Sequence, residues 1–335
     1  MTQRSNTGLC MLFILSLVCT LAIVTVQAQD VDFTTMKEIY TAETSDSFRR
    51  VALSADGTLA AMGSADSIVL WDVEAGEEVR ILAEPTELGS MPRGFFNYIA
   101  FVPDGSQVVA TVDNGLLVWD VETGDIELES RISARRNPAV LTPDGTQVAI
   151  ASNNEIIFID IMTGEQVKTL ETQPVLSAIA FTVDGTQVWT SSSRDYTIRQ
   201  WDVETGEELL VIDTVEAADH EFFEAAFNND LSLAITRPKG PRHNEAHLWD
   251  LETGELLQTF AISTYSVVTF NGDATQVLIG NSRSITIYDV ASGETLREIQ
   301  LPPNAIGDLA LSPDGMQVFI SGFDENARLW SVTGE

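Results

Sequence analysis

One unit recurs seven times along this chain, and it constrains the fold more than any other feature. Each copy reads as an apolar stretch, an Asp-Gly turn, a second apolar stretch, a short loop of small residues, a third stretch closing on Trp-Asp, and a Thr-Gly-Glu turn. The sharpest copies are Phe101-Val102-Pro103-Asp104-Gly105 with Trp119-Asp120-Val121-Glu122-Thr123-Gly124, and Phe181-Thr182-Val183-Asp184-Gly185 with Trp201-Asp202-Val203-Glu204-Thr205-Gly206. First turns fall at Asp56, Asp104, Asp144, Asp184, Asp230, Asp273 and Asp314. The closing position is Trp71, Trp119, Ile159, Trp201, Trp249, Tyr288 and Trp330, at spacings of 48, 40, 42, 48, 39 and 42 residues. Such a period excludes the shorter helical and leucine-rich repeats.

The pattern inside a unit, as in Leu116-Leu117-Val118-Trp119, favours strands over helix. Asp-Gly provides the residue that accepts positive φ in a tight hairpin, and the Thr-Gly of the second turn does the same. Each unit is then a small antiparallel sheet that cannot bury both faces alone. Seven such sheets packed radially bury them and leave only short, protected edges. The predicted fold is all-β: a seven-bladed β-propeller of four-stranded antiparallel blades.

These residues resemble a WD40-repeat propeller over about the whole chain after its first thirty residues. The match is carried by Trp71-Asp72, Trp119-Asp120, Trp201-Asp202 and Trp249-Asp250, by the altered Trp330-Ser331, and by Ile159-Asp160 and Tyr288-Asp289 at the same place. The resemblance implies a scaffold that binds other proteins and does not imply an enzyme. Full repeats of that family also carry a Gly-His pair before the first strand and an Asp before the third, joined with a Ser/Thr and the Trp in a hydrogen-bond network. Here that His is missing throughout, and only Asp113, Asp195 and Asp324 stand six residues before a closing Trp. Each blade is therefore expected to rely more on apolar packing, and the subfamily stays open, the quinoprotein-like propellers included.

The last unit ends at Trp330-Ser331-Val332-Thr333-Gly334-Glu335, three strands with no fourth. Residues from about Phe33 to Thr41 align with the outer strands at Glu77 to Leu82 and Glu207 to Ile212 and are expected to supply it. One blade is then built from both ends of the repeat array, and deleting Phe33 to Thr41 should destabilise far more than trimming a loose terminus.

Before the repeats, Arg4 and a polar start precede an apolar run from Leu9 to Val26, followed by Val26-Gln27-Ala28 with small residues where a signal peptidase reads. This predicts a secretory signal over 1–28, cleaved after Ala28, ahead of a propeller over 29–335. An uncleaved membrane anchor through residues 9–26 is the alternative. Cys10 and Cys19 are the only cysteines and both lie in this segment, so the propeller has no disulfide and no thiolate ligand.

Fifty Asp and Glu against eighteen Lys and Arg give a formal net charge of −32. A polyanion is held by a basic footprint, so no nucleic-acid partner is expected. The acidic residues concentrate in the turns after the first and third strands, which share one rim. That rim reads as a solvated surface, with weak calcium binding between adjacent turns left open. Arg93, Arg131, Arg135, Arg136, Arg194, Arg237, Lys239, Arg242 and Arg283 all fall in the connections of the opposite rim, half of the Lys and Arg total. Glu84, Glu87, Asp195, Asp213, Glu216 and Asp219 join them, so this rim is mixed in sign. It is the expected face for a protein partner, because negative groups meet less repulsion there than elsewhere. Two enlarged connections, Glu84 to Tyr98 and Pro238 to Asn244, are candidates for specificity.

No constellation of catalytic residues is convincing. His243 and His247 are four apart, but proline and glycine precede them and strand alternation follows, which keeps them off a helix; with no His-Glu-x-x-His arrangement, no zinc site is expected. His247 is expected beside Trp249. Asp56 and its equivalents repeat with the turns and read as turn formers, not as a general acid and base. No nucleophile elbow or phosphate loop exists. The expectation is a monomeric, non-enzymatic recognition module, secreted or envelope-associated, without cofactor or metal. Its alternative is a propeller using its central pocket for a small ligand or for hydrolysis, lactonase-like or cofactor-dependent.

Overall fold

The computed structural model describes residues 34, 36–43, 48, 50–64, 67–82, 96–132, 137–215, 222–238, 245–262, 267–271, 273–281, 283–312 and 316–332. They form seven four-stranded antiparallel sheets. Blade 1 holds β2 (Arg50–Leu53), β3 (Leu59–Gly63), β4 (Ile68–Asp72) and β5 (Glu77–Ile81). Blade 2 holds β6 (Tyr98–Phe101), β7 (Gln107–Val112), β8 (Gly115–Asp120) and β9 (Ile126–Arg131). Blade 3 holds β10 (Ala139–Leu141), β11 (Gln147–Ser152), β12 (Glu155–Asp160) and β13 (Gln166–Glu171), and blade 4 holds β14 (Leu176–Phe181), β15 (Gln187–Ser192), β16 (Thr197–Asp202) and β17 (Glu208–Asp213). Blade 5 holds β18 (Phe222–Phe227), β19 (Leu233–Pro238), β20 (Glu245–Asp250) and β21 (Leu256–Ala261), and blade 6 holds β22 (Val267–Phe270), β23 (Gln276–Gly280), β24 (Ser284–Asp289) and β25 (Thr295–Gln300).

Blade 7 is assembled as the sequence predicts. Its strands β26 (Asp308–Leu311), β27 (Gln317–Ser321) and β28 (Asn326–Val332) are completed by β1 (Met36–Glu43), in the order β1-β28-β27-β26. The register runs from Met36 opposite Val332 to Glu43 opposite Asn326, with an irregularity between Glu38 and Tyr40. Arg297, on the outer strand of blade 6, donates from Nη1 to the carbonyls of Thr34 at 2.6 Å and Met36 at 2.8 Å, which ties the closing strand to the neighbouring blade.

The core lies between blades and not within them. Seven apolar clusters each span two neighbours, and every closing side chain packs toward the blade before it. Trp119 meets Ile68 and Leu70, Trp201 meets Ala149 and Phe158, Trp249 meets Trp189 and Ile198, and Trp330 meets Leu278 and Ile285. Trp71 closes the circle against Phe319 and Leu329 of blade 7. Second and third strands are consequently buried on both faces, as in β7 and β8, while outer strands expose alternate positions, as in β17.

Neighbouring blades also lock through their turns. Gly145, at φ 73°, lies so close to Pro103 of blade 2 that a Cβ there would meet the proline Cδ at 2.3 Å. In blades 5 and 6 the same turn position is taken by Leu231 and Ala274, which adopt φ of 57° and 56° without glycine.

Candidate functional site

On the first rim, each described aspartate of the first turns and at the end of the third strands is engaged by its own loop. Asp56 Oδ1 accepts the Ser54 hydroxyl at 2.6 Å, the Thr58 N–H at 3.0 Å and the Thr58 hydroxyl at 2.8 Å, and these bonds, the Ser54 one foremost, hold its carboxyl below the ordinary carboxylate value. At Asp144 and Asp184 the leading donors are the hydroxyls of Thr142 at 2.6 Å and Thr182 at 2.7 Å, with the same effect. After the third strand, Asp120, Asp160, Asp202 and Asp250 accept the N–H of Thr123, Thr163, Thr205 and Thr253 at 2.6, 2.8, 2.7 and 2.7 Å, which again lowers each pKa. These groups are fixed anions that shape turns. A general acid needs a carboxyl pushed upward, the opposite of what this geometry does.

The opposite rim carries the four described members of the predicted cationic set. Arg131 ends β9, Arg194 lies in the β15–β16 loop, Arg237 is on β19 near its end, and Arg283 precedes β24. Arg131, Arg194 and Arg283 are exposed and Arg237 is half-buried. Arg93, Arg135, Arg136, Lys239 and Arg242 lie outside the described residues, as do His243, the signal segment 1–28, and most of the connections Glu84 to Tyr98 and Pro238 to Asn244. Phe96, at the end of the first of these, is buried in the cluster between blades 1 and 2 and is a core residue.

Asp195, read from the sequence as one of the acids of this rim, is engaged by Arg199, which missed notice there. Arg199 Nη2 donates to Asp195 Oδ2 at 3.0 Å and its Nη1 to Glu208 Oε2 at 2.7 Å. Blade 7 repeats the device: Arg328 Nη2 meets Asp324 Oδ2 at 2.5 Å and its Nη1 meets Oδ1 at 3.1 Å and the Ala305 carbonyl at 3.3 Å. Thus two of the three aspartates standing six residues before a closing Trp, Asp195 and Asp324, each hold an arginine four residues on, and the shared Asp-x-x-x-Arg spacing, which Asp113 with Leu117 lacks, was the signal for it.

An indole–threonine hydrogen bond is formed in blades 4 and 5. Trp201 Nε1 donates to Thr190 Oγ1 at 2.8 Å, which donates to Gln173 Oε1 at 3.0 Å, and Trp249 Nε1 donates to Thr236 Oγ1 at 2.8 Å. Both threonines stand two residues beyond the partner of the Trp on the second strand. The same register position holds Met62, Ala110, Ile150, Ile279 and Ile320 in the other five blades, none of which offers a hydroxyl there. His247 lies on β20 with its ring 6.2 Å from that of Trp249, as expected from the sequence, and burial pushes its pKa down against the opposing pull of Glu245.

Cavities open between blades on the turn-bearing rim: about 500 Å³ between blades 7 and 1, about 450 Å³ between blades 3 and 4, and about 320 Å³ between blades 2 and 3. Among the described residues no three His, Cys, Asp or Glu side chains gather where they could hold a metal ion.

A ring of seven four-stranded sheets, closed by pairing between segments distant in the chain, defines a β-propeller. The chain belongs to the family described as outer membrane protein assembly factor BamB, whose model matches residues 37–210. That family differs from the WD40 propellers that the Trp-Asp motif resembles, a difference in line with the absent Gly-His pair. The chain is also similar to the periodic tryptophan protein 2 homolog of Schizosaccharomyces pombe, 29 % identical over 91 residues. That stretch is 26 % of this chain and 11 % of the yeast protein, so the chain spans a small part of that relative.

Proposed function

We propose that this protein is a non-enzymatic, protein-binding propeller of the cell envelope, exported by its first 28 residues, whose partner contacts the rim carrying Arg131, Arg194, Arg237 and Arg283. The observation that carries the reading is a relative difference in charge. Turn aspartates held by their own loops lie at one rim, whereas the four described arginines of the set stand at the loop ends of the other, among acids such as Asp113, Asp195 and Asp213. A partner bearing negative groups is repelled least at that second rim, and clefts and loop ends sharpen such differences. Family membership supports an assembly role in the envelope, and loops on a rigid ring are the parts free to take up specificity.

The test is affinity capture from the cell's own envelope fraction with the full chain as bait, beside a variant carrying Arg131→Ala, Arg194→Ala and Arg283→Ala. A protein retained by the parent and lost with the variant is the expected result. Equal recovery by both refutes the assignment of the rim. Recovery of a stoichiometric small molecule or ion in place of any protein refutes the scaffold reading and favours the central-pocket alternative.

A further inference from the structure

The turn-bearing rim is not uniformly acidic. The residue two places after the closing Asp is Glu74, Glu122, Glu204 and Glu252 in blades 1, 2, 4 and 5, but blade 3 places Met162 there. The residue before the turn Asp is Pro103 and Pro143 in blades 2 and 3, but Val183 in blade 4. Met162 is 82 % exposed and Val183 86 % exposed, the highest values of any large apolar side chain among the described residues. Both flank open clefts. Met162 lines the one of about 320 Å³ between blades 2 and 3, and Val183 the one of about 450 Å³ between blades 3 and 4, whose other walls include Phe158 and Phe181. Asp144 borders both.

We propose that these neighbouring clefts dock an extended, basic segment of another polypeptide, its apolar side chains seated against Met162 and Val183 and its cations against the surrounding turn carboxylates. Two clefts side by side suit alternate side chains of an extended chain, which all project to one face. Charge decides the partner's sign. Asp104, Asp144, Asp160 and Asp184 line the clefts and are held ionised by their own turns, so none has to lose its proton or change its loop on binding. Among the described residues the one cation lining them is Lys168, and it is already engaged: its Nζ donates to the Val203 carbonyl and stands 5.9 Å from the centre of the Phe158 ring. An acidic segment finds no uncommitted partner there, whereas a basic one meets a ring of fixed anions. This surface is separate from the arginine rim, and its success or failure does not depend on that assignment.

The test uses the full chain and three dye-labelled twelve-residue peptides at 150 mM salt, alternating Lys with Leu, Lys with Ser, and Glu with Leu. A variant combining Met162→Glu and Val183→Asp accompanies the parent. The first change installs the residue four other blades carry, and both positions are exposed, so the melting temperature of the variant stays that of the parent. The variant is more negative by two charges, which separates the two explanations by sign. Docking in the clefts lowers its affinity for the Lys-Leu peptide at least tenfold, and simple attraction between opposite charges raises it. The expected result is the loss, with tight binding of the Lys-Leu peptide alone by the parent. Unchanged or tighter binding by the variant, or equal binding of the Lys-Ser or Glu-Leu peptide by the parent, overturns the proposal. An Arg131→Ala, Arg194→Ala, Arg283→Ala variant binds the Lys-Leu peptide as the parent does, which keeps this outcome distinct from that of the arginine rim.

Discussion

Blades 4 and 7 contain the same Asp-x-x-x-Arg pair in two environments, and removing the aspartate from each gives an internally controlled measure of what burial does to an ion pair. Arg328 is 3 % exposed and its partner 16 %, against 24 % for Arg199 and 29 % for Asp195. Asp324→Ala leaves the Arg328 charge enclosed with only the Ala305 carbonyl at 3.3 Å, and stranding a buried charge costs about 3–5 kcal/mol. Asp195→Ala leaves Arg199 its bonds to Glu208 at 2.7 Å and Thr197 at 3.0 Å, with water able to reach the rest, and such partly exposed pairs contribute about 1 kcal/mol or less. The two variants should therefore differ by at least about 2 kcal/mol, more than tenfold in the unfolding equilibrium. Urea titration followed by tryptophan fluorescence at pH 7 measures both. A third variant, Asp324→Ala with Arg328→Met, removes the stranded charge and should recover most of the loss, since apolar replacement of a buried pair is often neutral. If the two single variants unfold within 0.5 kcal/mol of each other (a figure about the size of ordinary surface effects), or the double variant is no better than Asp324→Ala, the argument from burial fails.

Other expectations concern the ring, a turn and a titration. Met36 is fully buried between blades 6 and 7, so Met36→Ala should cost about 2–5 kcal/mol by the same urea assay, whereas a terminal strand merely resting on the surface would lose almost nothing. Gly145→Ala places a Cβ against Pro103 Cδ at a backbone conformation L-residues avoid; a loss of at least about 1–2 kcal/mol is expected, and an unchanged denaturation midpoint would disprove the turn contact. Burial lowers the pKa of His247 below its unfolded value of about 6.5, so below that pH the unfolded chain takes up a proton the fold resists. Stability should then decline as pH falls from about 6.5, more steeply in the parent than in His247→Phe, as read from melting temperatures across that range.

Much of the ring was legible because the repeat encodes it locally. Asp-Gly and Thr-Gly turns set the strand ends, and the closing Trp, Ile or Tyr marks the third strand regardless of which of the three is present. The missing fourth strand of the last unit was equally plain, since an absence in a periodic pattern has an address. Relations between blades were hidden, because a repeat reports what a position does in its own sheet and not what faces it. Pro103 under Gly145, the apolar walls shared by blades 3 and 4, and Gln173 reaching Thr190 all join segments whose mutual approach depends on packing. Arg199 and Arg328 were missed for another reason: on a third strand, where the repeat elsewhere places apolar residues as in Leu116 to Trp119, they look like breaks in the pattern. The rim at which each loop emerges followed from strand parity alone.

Strand β1 lies beside β28, yet almost the entire ring separates them along the chain. During synthesis six blades can form from hairpins as their residues appear, but the first strand made must wait for the last. Until then two complementary edges stand open at once, one at each end of an incomplete annulus, and closure is a single late event of very high contact order. Moving residues 36–43 to follow 332 would make every blade contiguous. Such a rearranged chain retains the same strand pairs, and its refolding should lose the slow closing step while its final stability stays near that of the parent.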